Sequence, residues 1–213
     1  MLTGVYIYED SGALVFAATD SYRLAEKKTT FKAPSDVKLL LPANAMQEVA
    51  RLLKDSSEVV TMSYDEQQAQ FMIDGSEVVM RNIEGTYPDY KKLLPTSFET
   101  TASAIKKDIV EITKVSSLFA REAAGSITMQ LDPADKQIKI NSIASQVGEN
   151  SASADADVSS DATITLNSRY LLDSLAAFTT ESITVNVNGK LDPCVVTSKD
   201  DDSYTHVIMP VKS

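Results

Sequence analysis

Short apolar segments separated by polar turn formers dominate the first forty residues. The apolar runs are Val5–Tyr8, Ala13–Ala17, Tyr22–Ala25 and Lys38–Leu41, and the last of them stops at Pro42. Runs of this length bounded by Gly, Asp, Ser and Pro are typical of β-strands. The sequence therefore predicts four short strands in this region.

The apolar positions that follow recur at helical spacing. They predict a helix over 43–54 with polar side chains on the opposite side. The apolar positions are Met46, Val49, Ala50 and Leu53. Three more strands are predicted after this helix, over 58–64, 69–73 and 77–82. The segment 84–95, with two prolines and one glycine, is interpreted as an ordered linker.

The second half repeats the same order of elements. One strand, a helix and two strands are predicted over 99–104, 106–120, 126–131 and 137–141, and 148–161 is either a polar strand or a loop. Another strand, helix and three strands are predicted over 163–166, 168–178, 182–188, 194–198 and 206–209. Leu39–Met46 also resembles Ile164–Leu171. The chain thus contains an internal repeat of a strand–helix–strand–strand–strand unit, complete twice in the second half and once, with one partial copy, in the first.

Composition places the chain among globular proteins. Its 213 residues suit one large or two small domains, and 43% hydrophobic with 23% charged residues is ordinary. No apolar run reaches the roughly 18 residues that span a bilayer, and we see no secretory signal. A single cysteine, Cys194, excludes an internal disulfide and a cysteine-cluster metal site. We expect a cytoplasmic location.

The net charge of −10 argues against nucleic acid binding unless basic residues are segregated on one surface. In the helix predicted from Lys106, an apolar stripe is formed by Ile105, Ile109, Ile112 and Phe119. Basic residues lie opposite the apolar faces of all three predicted helices; they are Arg51, Lys107, Lys114, Arg121 and Arg169. An ordinary solvated face is the alternative on any one helix. Three such helices favour a basic lining that touches phosphates without reading bases.

Three ordered segments resemble one family. Thr19–Ala25 is similar to a threonine-aspartate-glycine-histidine-arginine-leucine-alanine segment, Tyr87–Pro95 to an interdomain linker, and Val207–Lys212 to a methionine-proline-methionine-arginine tail. Together they resemble the bacterial DNA polymerase III beta subunits, the DNA sliding clamps, over the whole chain. The resemblance implies an α+β DNA-clamp fold with antiparallel sheets outside and helices on the inner face. It also implies a truncated middle domain over 1–87, a linker over 88–96 and a C-terminal domain over 97–213.

The family resemblance further implies a peptide-binding groove between the middle and third domains. Its lining would be Leu2, Thr19, Tyr22, Arg23, Leu24, Pro88, Lys92, Leu93, Pro193, Val207, Met209, Pro210 and Val211. An apolar cleft with a flexible methionine suits varied peptide partners. The alternative for Leu24, Val207 and Met209 is ordinary strand core.

This sequence departs from the family pattern at several groove positions. Ser21 and Tyr22 replace glycine and histidine, Lys92 replaces an arginine, and Val211 and Ser213 replace a methionine and a leucine. Lysine keeps the charge of arginine but loses its bidentate fork. We expect the groove to be present with an altered peptide preference.

The implied function is processivity, in which the clamp encircles duplex DNA and holds partners by short peptides. The implied partners are the polymerase III alpha subunit, the clamp loader and repair proteins. The sequence predicts no catalytic residue, metal or cofactor. His206, the single histidine, has no cysteine nucleophile or second histidine beside it, and Asp200–Asp202 is interpreted as a solvated turn rather than a metal site.

Two other functions compete with the clamp. One is an interaction module that captures peptides without encircling DNA, and the other is a small hydrolase, for which we find no nucleophile with a positioned base. The family's ring joins the first domain of one chain to the third of the next. Because the sequence matches no first domain, we expect a monomer or a non-standard oligomer instead of the usual two-chain ring.

Overall fold

The computed structural model describes residues 2–34, 36–54, 59–144 and 148–211. Some positions of the predicted domains lie outside the described residues. They include Met1, Lys212, Ser213 and Glu58, the first residue of the strand predicted over 58–64. The chain divides into two compact units. The first unit is Met1–Ser21 with Glu26–Asp89, and the second unit is Tyr22–Ala25 with Tyr90–Ser213.

The described residues of the first unit form two sheets and one helix. Its larger sheet has the order β3-β2-β1-β4, and its strands are β1 Gly4–Asp10, β2 Ala13–Thr19, β3 Arg23–Lys32 and β4 Lys38–Pro42. The first three residues of β3 belong to the second unit. The smaller sheet joins β5 Val60–Tyr64, β6 Gln68–Ile73 and β7 Ser76–Arg81 in sequence order. Helix α1, Ala43–Leu52, follows β4 directly and buries only Val49 fully.

The core of the first unit lies between its strands and α1. Its most buried large side chains are those of Ile7, Leu41 and Ile73. Gly4 allows a close approach of its neighbours, since a Cβ there would lie 2.8 Å from Ile83 Cδ1 and 2.9 Å from Leu40 Cδ1 and would make these side chains shift. This close approach lets the chain after β7 run beside β4, where Ile83 N donates to Leu40 O at 2.7 Å.

The second unit contains two complete strand–helix–three-strand repeats in one antiparallel sheet of order β12-β9-β10-β11-β8-β13-β14-β15. The strands of the first repeat are β8 Thr100–Ile105, β9 Ser126–Asp132, β10 Gln137–Ala144 and β11 Gly148–Val158. Those of the second are β12 Ala162–Asn167, β13 Ser182–Val187, β14 Cys194–Thr197 and β15 Tyr204–Ile208. The helices are α2 Lys106–Phe119 and α3 Ser168–Ala177.

Near the middle of this sheet, β8 pairs with β11 on one side and β13 on the other, which joins the two repeats. Helices α2 and α3 contact one another, and their buried side chains, including Ile109, Leu171 and Leu175, belong to one core that also includes Cys194. The Cys194 side chain is a fully buried free thiol in this core.

Helix α2 confirms the predicted apolar stripe in part. Ile109 is fully buried and Ile112 packs against the core, whereas Ile105 ends β8 and is exposed. Thr113 and Ser116 are also fully buried, because the Thr113 hydroxyl donates to Ile109 O at 2.6 Å and the Ser116 hydroxyl donates to Asn150 Oδ1 at 2.9 Å. Apolar periodicity alone did not indicate these two polar positions of the buried face.

Two strands differ from prediction in ways that polarity explains. β3 continues to Lys32, well beyond the apolar run that ends at Ala25, since its second half carries mainly polar side chains. β11 is a strand over Gly148–Val158, which decides between the two interpretations of that segment. Its buried positions are the small residues Ala154 and Ala156, together with Val158, so the apolar signal was weak.

Candidate peptide-binding site

The site in the second unit is positioned by the start of α3. The Asn167 side-chain oxygen caps this helix by accepting from Arg169 N at 2.9 Å and Tyr170 N at 3.3 Å. Asn167 Nδ2 also donates to Ala124 O at 3.1 Å, which ties the cap to the turn after α2. Because positions three apart share one face of a helix, Tyr170 and Asp173 point the same way.

Arg23 is held by this face of α3. Its Nη1 donates to Asp173 Oδ2 at 2.6 Å, and its guanidinium carbon lies 4.5 Å from the centroid of the Tyr170 ring. The Tyr22 ring stacks near the same ring, with centroids 6.4 Å apart. We call Tyr170 and Asp173 the Arg23 socket. A cation over an aromatic face and beside a carboxylate is attracted to both.

The chain after β15 lies beside this socket. Met209 N donates to Tyr22 O at 2.8 Å, so Met209 and the residues flanking Arg23 are joined through their backbones. Leu24 and Val207 are buried, whereas Met209 is 39% exposed and Tyr22 62% exposed. The exposed Met209 and Tyr22 therefore provide the apolar part of this surface, and the cationic Arg23 lies next to it, while the buried Leu24 and Val207 lie in the strands beneath.

Aromatic side chains pack behind this surface. The Tyr204 ring meets Phe178 edge to face at 4.9 Å, and its hydroxyl lies 2.9 Å from His206 Nδ1. Burial raises the pKa of Tyr204 to about 12, against a smaller opposing effect of Arg23. His206 is buried in β15.

The remaining predicted groove residues fall in both units. In the second unit, Lys92 and Leu93 are exposed on a short 3-10 helix, Tyr90–Leu93, and Pro193, Pro210 and Val211 are half-buried. In the first unit, Leu2 and Pro88 are exposed and Thr19 is half-buried. Within the second unit, hydrogen bonds and ring contacts thus join Tyr22, Arg23 and Met209, the centre of the predicted set.

The sequence did not indicate Tyr170 or Asp173 as site residues. Their spacing placed them on one helix face, but their partner Arg23 lies 150 positions from Asp173. A contact over that separation leaves no periodic signal in a single sequence.

The basic residues predicted to face DNA are all exposed. Arg51 donates to Glu48 at 2.7 Å, and Lys107 Nζ lies 3.9 Å from Glu111. Arg121 follows α2 in a 3-10 turn, Ala120–Ala123, so the predicted line of three cations along one helix ends at Lys114. In the described part of the chain, no ion pair joins Lys114, Arg121 or Arg169 to a carboxylate.

The acidic run Asp200–Asp202 lies between β14 and β15, where Asp201 Oδ1 accepts from Ser203 N at 2.9 Å. Among the described residues, no three His, Cys, Asp or Glu side chains are grouped to hold a metal ion. The same residues include no helix long and apolar enough to cross a membrane.

Comparison with known proteins assigns the family. The family model for the central domain of the DNA polymerase III beta subunit matches residues 1–89, and the model for its C-terminal domain matches 91–212. The chain belongs to the DNA polymerase III beta subunit family. The resemblance drawn from the three motifs is confirmed.

Relatives and solved structures agree with this assignment. The beta sliding clamps of Staphylococcus epidermidis and Staphylococcus aureus are 28% and 29% identical over 216 residues, which cover 100% of this chain and 57% of each relative. The sliding clamp of Bacillus subtilis matches the whole chain with a TM-score of 0.93 at 27% identity, and the Thermotoga maritima beta subunit with 0.91 at 25%. The predicted clamp fold is confirmed, and the chain spans a little over half the length of these proteins.

Proposed function

We propose that this chain is part of a DNA sliding clamp that captures short peptides of its partners and gives them processivity on duplex DNA. It acts without catalysis, in the cytoplasm, as a middle domain over 1–87 and a C-terminal domain over 97–213 joined by a linker over 88–96. Its partners are the polymerase III alpha subunit, the clamp loader and repair proteins.

The arrangement around Met209 carries the peptide-capture part of the proposal. The half-exposed Met209 side chain lies beside Tyr22, over strands whose Leu24 and Val207 are buried. A methionine adapts to varied apolar side chains, and an adjacent backbone carries the polar groups that orient a peptide. The other predicted groove residues, Leu2, Thr19, Pro88, Lys92, Leu93, Pro193, Pro210 and Val211, are proposed to extend this surface.

A fluorescence-anisotropy titration with a labelled pentapeptide containing glutamine, leucine and phenylalanine tests the capture step. Met209→Ala and Leu24→Ala should each weaken binding about tenfold or more, because anchors in apolar pockets dominate such interfaces. Ile143→Ala is the matched control, since Ile143 is 64% exposed on β10 of the same unit. Circular dichroism verifies that the variants are folded. No binding by the parent chain, or affinity of both site variants equal to that of the parent, contradicts the proposal.

The exposed cations on the helices support the DNA-facing part. Lys114, Arg121 and Arg169 remain without a carboxylate partner in the described residues of a chain whose net charge is −10. Such cations can contact phosphates of any sequence, while the acidic remainder repels DNA elsewhere. A peptide-capture module that does not encircle DNA is the competing function, and retention on DNA distinguishes the two.

A further inference from the structure

We propose that Asp173 is a positioning residue for peptide capture, acting through Arg23 without touching the peptide. This inference rests on the proposed function and names a residue that governs the same site. The observation behind it is the 2.6 Å contact between Arg23 Nη1 and Asp173 Oδ2, made while the guanidinium lies over Tyr170.

The socket restrains the short segment that forms one wall of the site. Arg23 stands between Tyr22, whose carbonyl accepts from Met209 N, and Leu24, whose side chain is buried. Fixing the Arg23 side chain on α3 therefore restrains the backbone on both sides of it. That backbone sets where the Tyr22 ring and the Met209 side chain stand.

The three parts of this arrangement have separate origins in the fold. The Asn167 cap fixes the first turn of α3 and with it Tyr170, and Asp173 follows one turn later on the same face. Tyr170 also packs against the core of the second unit, so the aromatic platform is anchored. Asp173 is the exposed member, with 47% of its side chain accessible against 29% for Arg23.

This exposure places Asp173 where it can hold Arg23 without being required for folding. Ion pairs at partly exposed sites contribute little to global stability, because solvent screens them. Their geometric effect persists, since a guanidinium held between a carboxylate and a ring has few other orientations. Asp173 should therefore influence peptide binding more than it influences unfolding.

The test is a double-mutant cycle with the labelled pentapeptide. Asp173→Asn should weaken binding by about threefold to fivefold, as expected from loss of one partly exposed charged contact. In an Arg23→Ala background the same substitution should have no further effect, because Asp173 acts only through Arg23. Asp173→Glu, which keeps the charge, should restore part of the affinity, and Asp161→Asn on an exposed loop should leave it unchanged.

A second measurement does not depend on the peptide. Hydrogen exchange of the Met209 amide, which donates to Tyr22 O, should accelerate severalfold in Asp173→Asn but not in Asp161→Asn. If the parent chain does not bind the pentapeptide, the proposed function fails, and the exchange rate still decides whether Asp173 restrains this segment. Unchanged Met209 exchange, or additive effects of Asp173→Asn and Arg23→Ala on affinity, overturns the inference.

Discussion

In each unit the chain that follows the last strand of a repeat hydrogen-bonds to the first strand of the same repeat, but the side chains near this bond differ. After β7 the chain returns to the edge of β4, where Ile83 N donates to Leu40 O at 2.7 Å; after β15 it returns to β12, where Val211 N donates to Thr165 O at 2.9 Å. Leu40 and Thr165 are the equivalent positions in the repeated segments. The residues two positions before these donors are Arg81 in the first unit and Met209 in the second, so they occupy equivalent positions in the two repeats.

At this position the two copies of the repeat differ in polarity. In the second unit Met209 follows a buried Val207, whereas in the first unit Arg81 follows an exposed Val79 two residues earlier. The backbone is common to both copies, so the peptide binding proposed for the second unit depends on its side chains and not on the repeated fold alone.

The units also differ in how their helices are covered. Helix α3 fully buries four residues, Ser168, Leu171, Ser174 and Leu175, while α1, of the same length, fully buries Val49 alone. In the second unit α3 packs against the helix α2 as well as β12 and β15. The first unit contains one complete repeat and one partial copy, and its described residues include no second helix to pack beside α1.

Helix anchors should therefore show the largest difference between the units. Leu171→Ala should lower the free energy of unfolding by about 2–5 kcal/mol, because it opens a cavity in a fully buried site. Val49→Ala removes two buried carbon groups and should cost about 1.5 kcal/mol. Urea denaturation followed by circular dichroism measures both. Equal costs would mean that α1 is as well packed as α3, against this comparison.

Exchanging the side chains at the equivalent positions tests where the site resides. Met209→Arg should reduce pentapeptide affinity by about 30-fold or more, since it replaces an apolar anchor by a second cation near Arg23. Arg81→Met should leave affinity and stoichiometry unchanged, because the first unit has no buried valine at the position of Val207. Anisotropy and calorimetric titration report the two quantities, and a second binding site in Arg81→Met would contradict the assignment.

The sequence was sufficient for the order of the elements, for physical reasons. Strand and helix periods in Val5–Tyr8 or Ser168–Phe178 are local, so each element could be predicted without its neighbours. The second half of β3 was missed because its side chains are mostly polar. The polar positions Thr113 and Ser116 on the buried face of α2 were missed because they satisfy their hydroxyls by hydrogen bonds. Buried polar residues leave no apolar pattern in the sequence from which a buried face could be predicted.

The candidate site was predictable only in part. Motifs led to Arg23 and Met209, which are joined through Tyr22 in the structure. Tyr170 and Asp173 could not be predicted, because they reach Arg23 through the packing of α3 against a segment that is distant in sequence. Local sequence patterns therefore identify residues that line such a site, whereas the residues that hold them in place are determined by tertiary contacts.

Cys194 offers a chemical probe of the second unit alone. Burial raises the pKa of its thiol from 9.0 to about 12, so the thiol is neutral and protected at pH 8. A disulfide reagent should not label it in native buffer on a timescale of minutes, but should do so in urea. Rapid native labelling would show that the core of the second unit opens readily.

The same thiol predicts a pH dependence of stability. Because folding raises the pKa of the Cys194 thiol, the folded state favours the neutral thiol. This contribution to the stability of the fold is complete below about pH 9 and is lost as the pH rises towards 12. Parent and Cys194→Ala should therefore differ in the drop of their urea midpoints between pH 8 and pH 10.5, with the larger drop in the parent. Tyr204, whose pKa is also raised to about 12, contributes equally to both proteins. Parallel pH profiles would contradict this account.

The smallest expected effect concerns DNA, and it again contrasts the two units. Arg51 of α1 is already paired with Glu48 at 2.7 Å, whereas Lys114 of α2 has no ion pair among the described residues. Lys114→Glu should therefore weaken low-salt binding to duplex DNA more than Arg51→Glu, and it should reduce the slope of log affinity against log salt by about one. Fluorescence polarisation between about 50 and 200 mM salt measures both quantities for the two variants and for the triple substitution of Lys107, Lys114 and Arg121 by Glu.

Since phosphate contacts carry no sequence information, DNA of unrelated sequences should behave alike. Tight binding to one sequence that survives high salt, or a larger effect of Arg51→Glu, would refute the electrostatic lining.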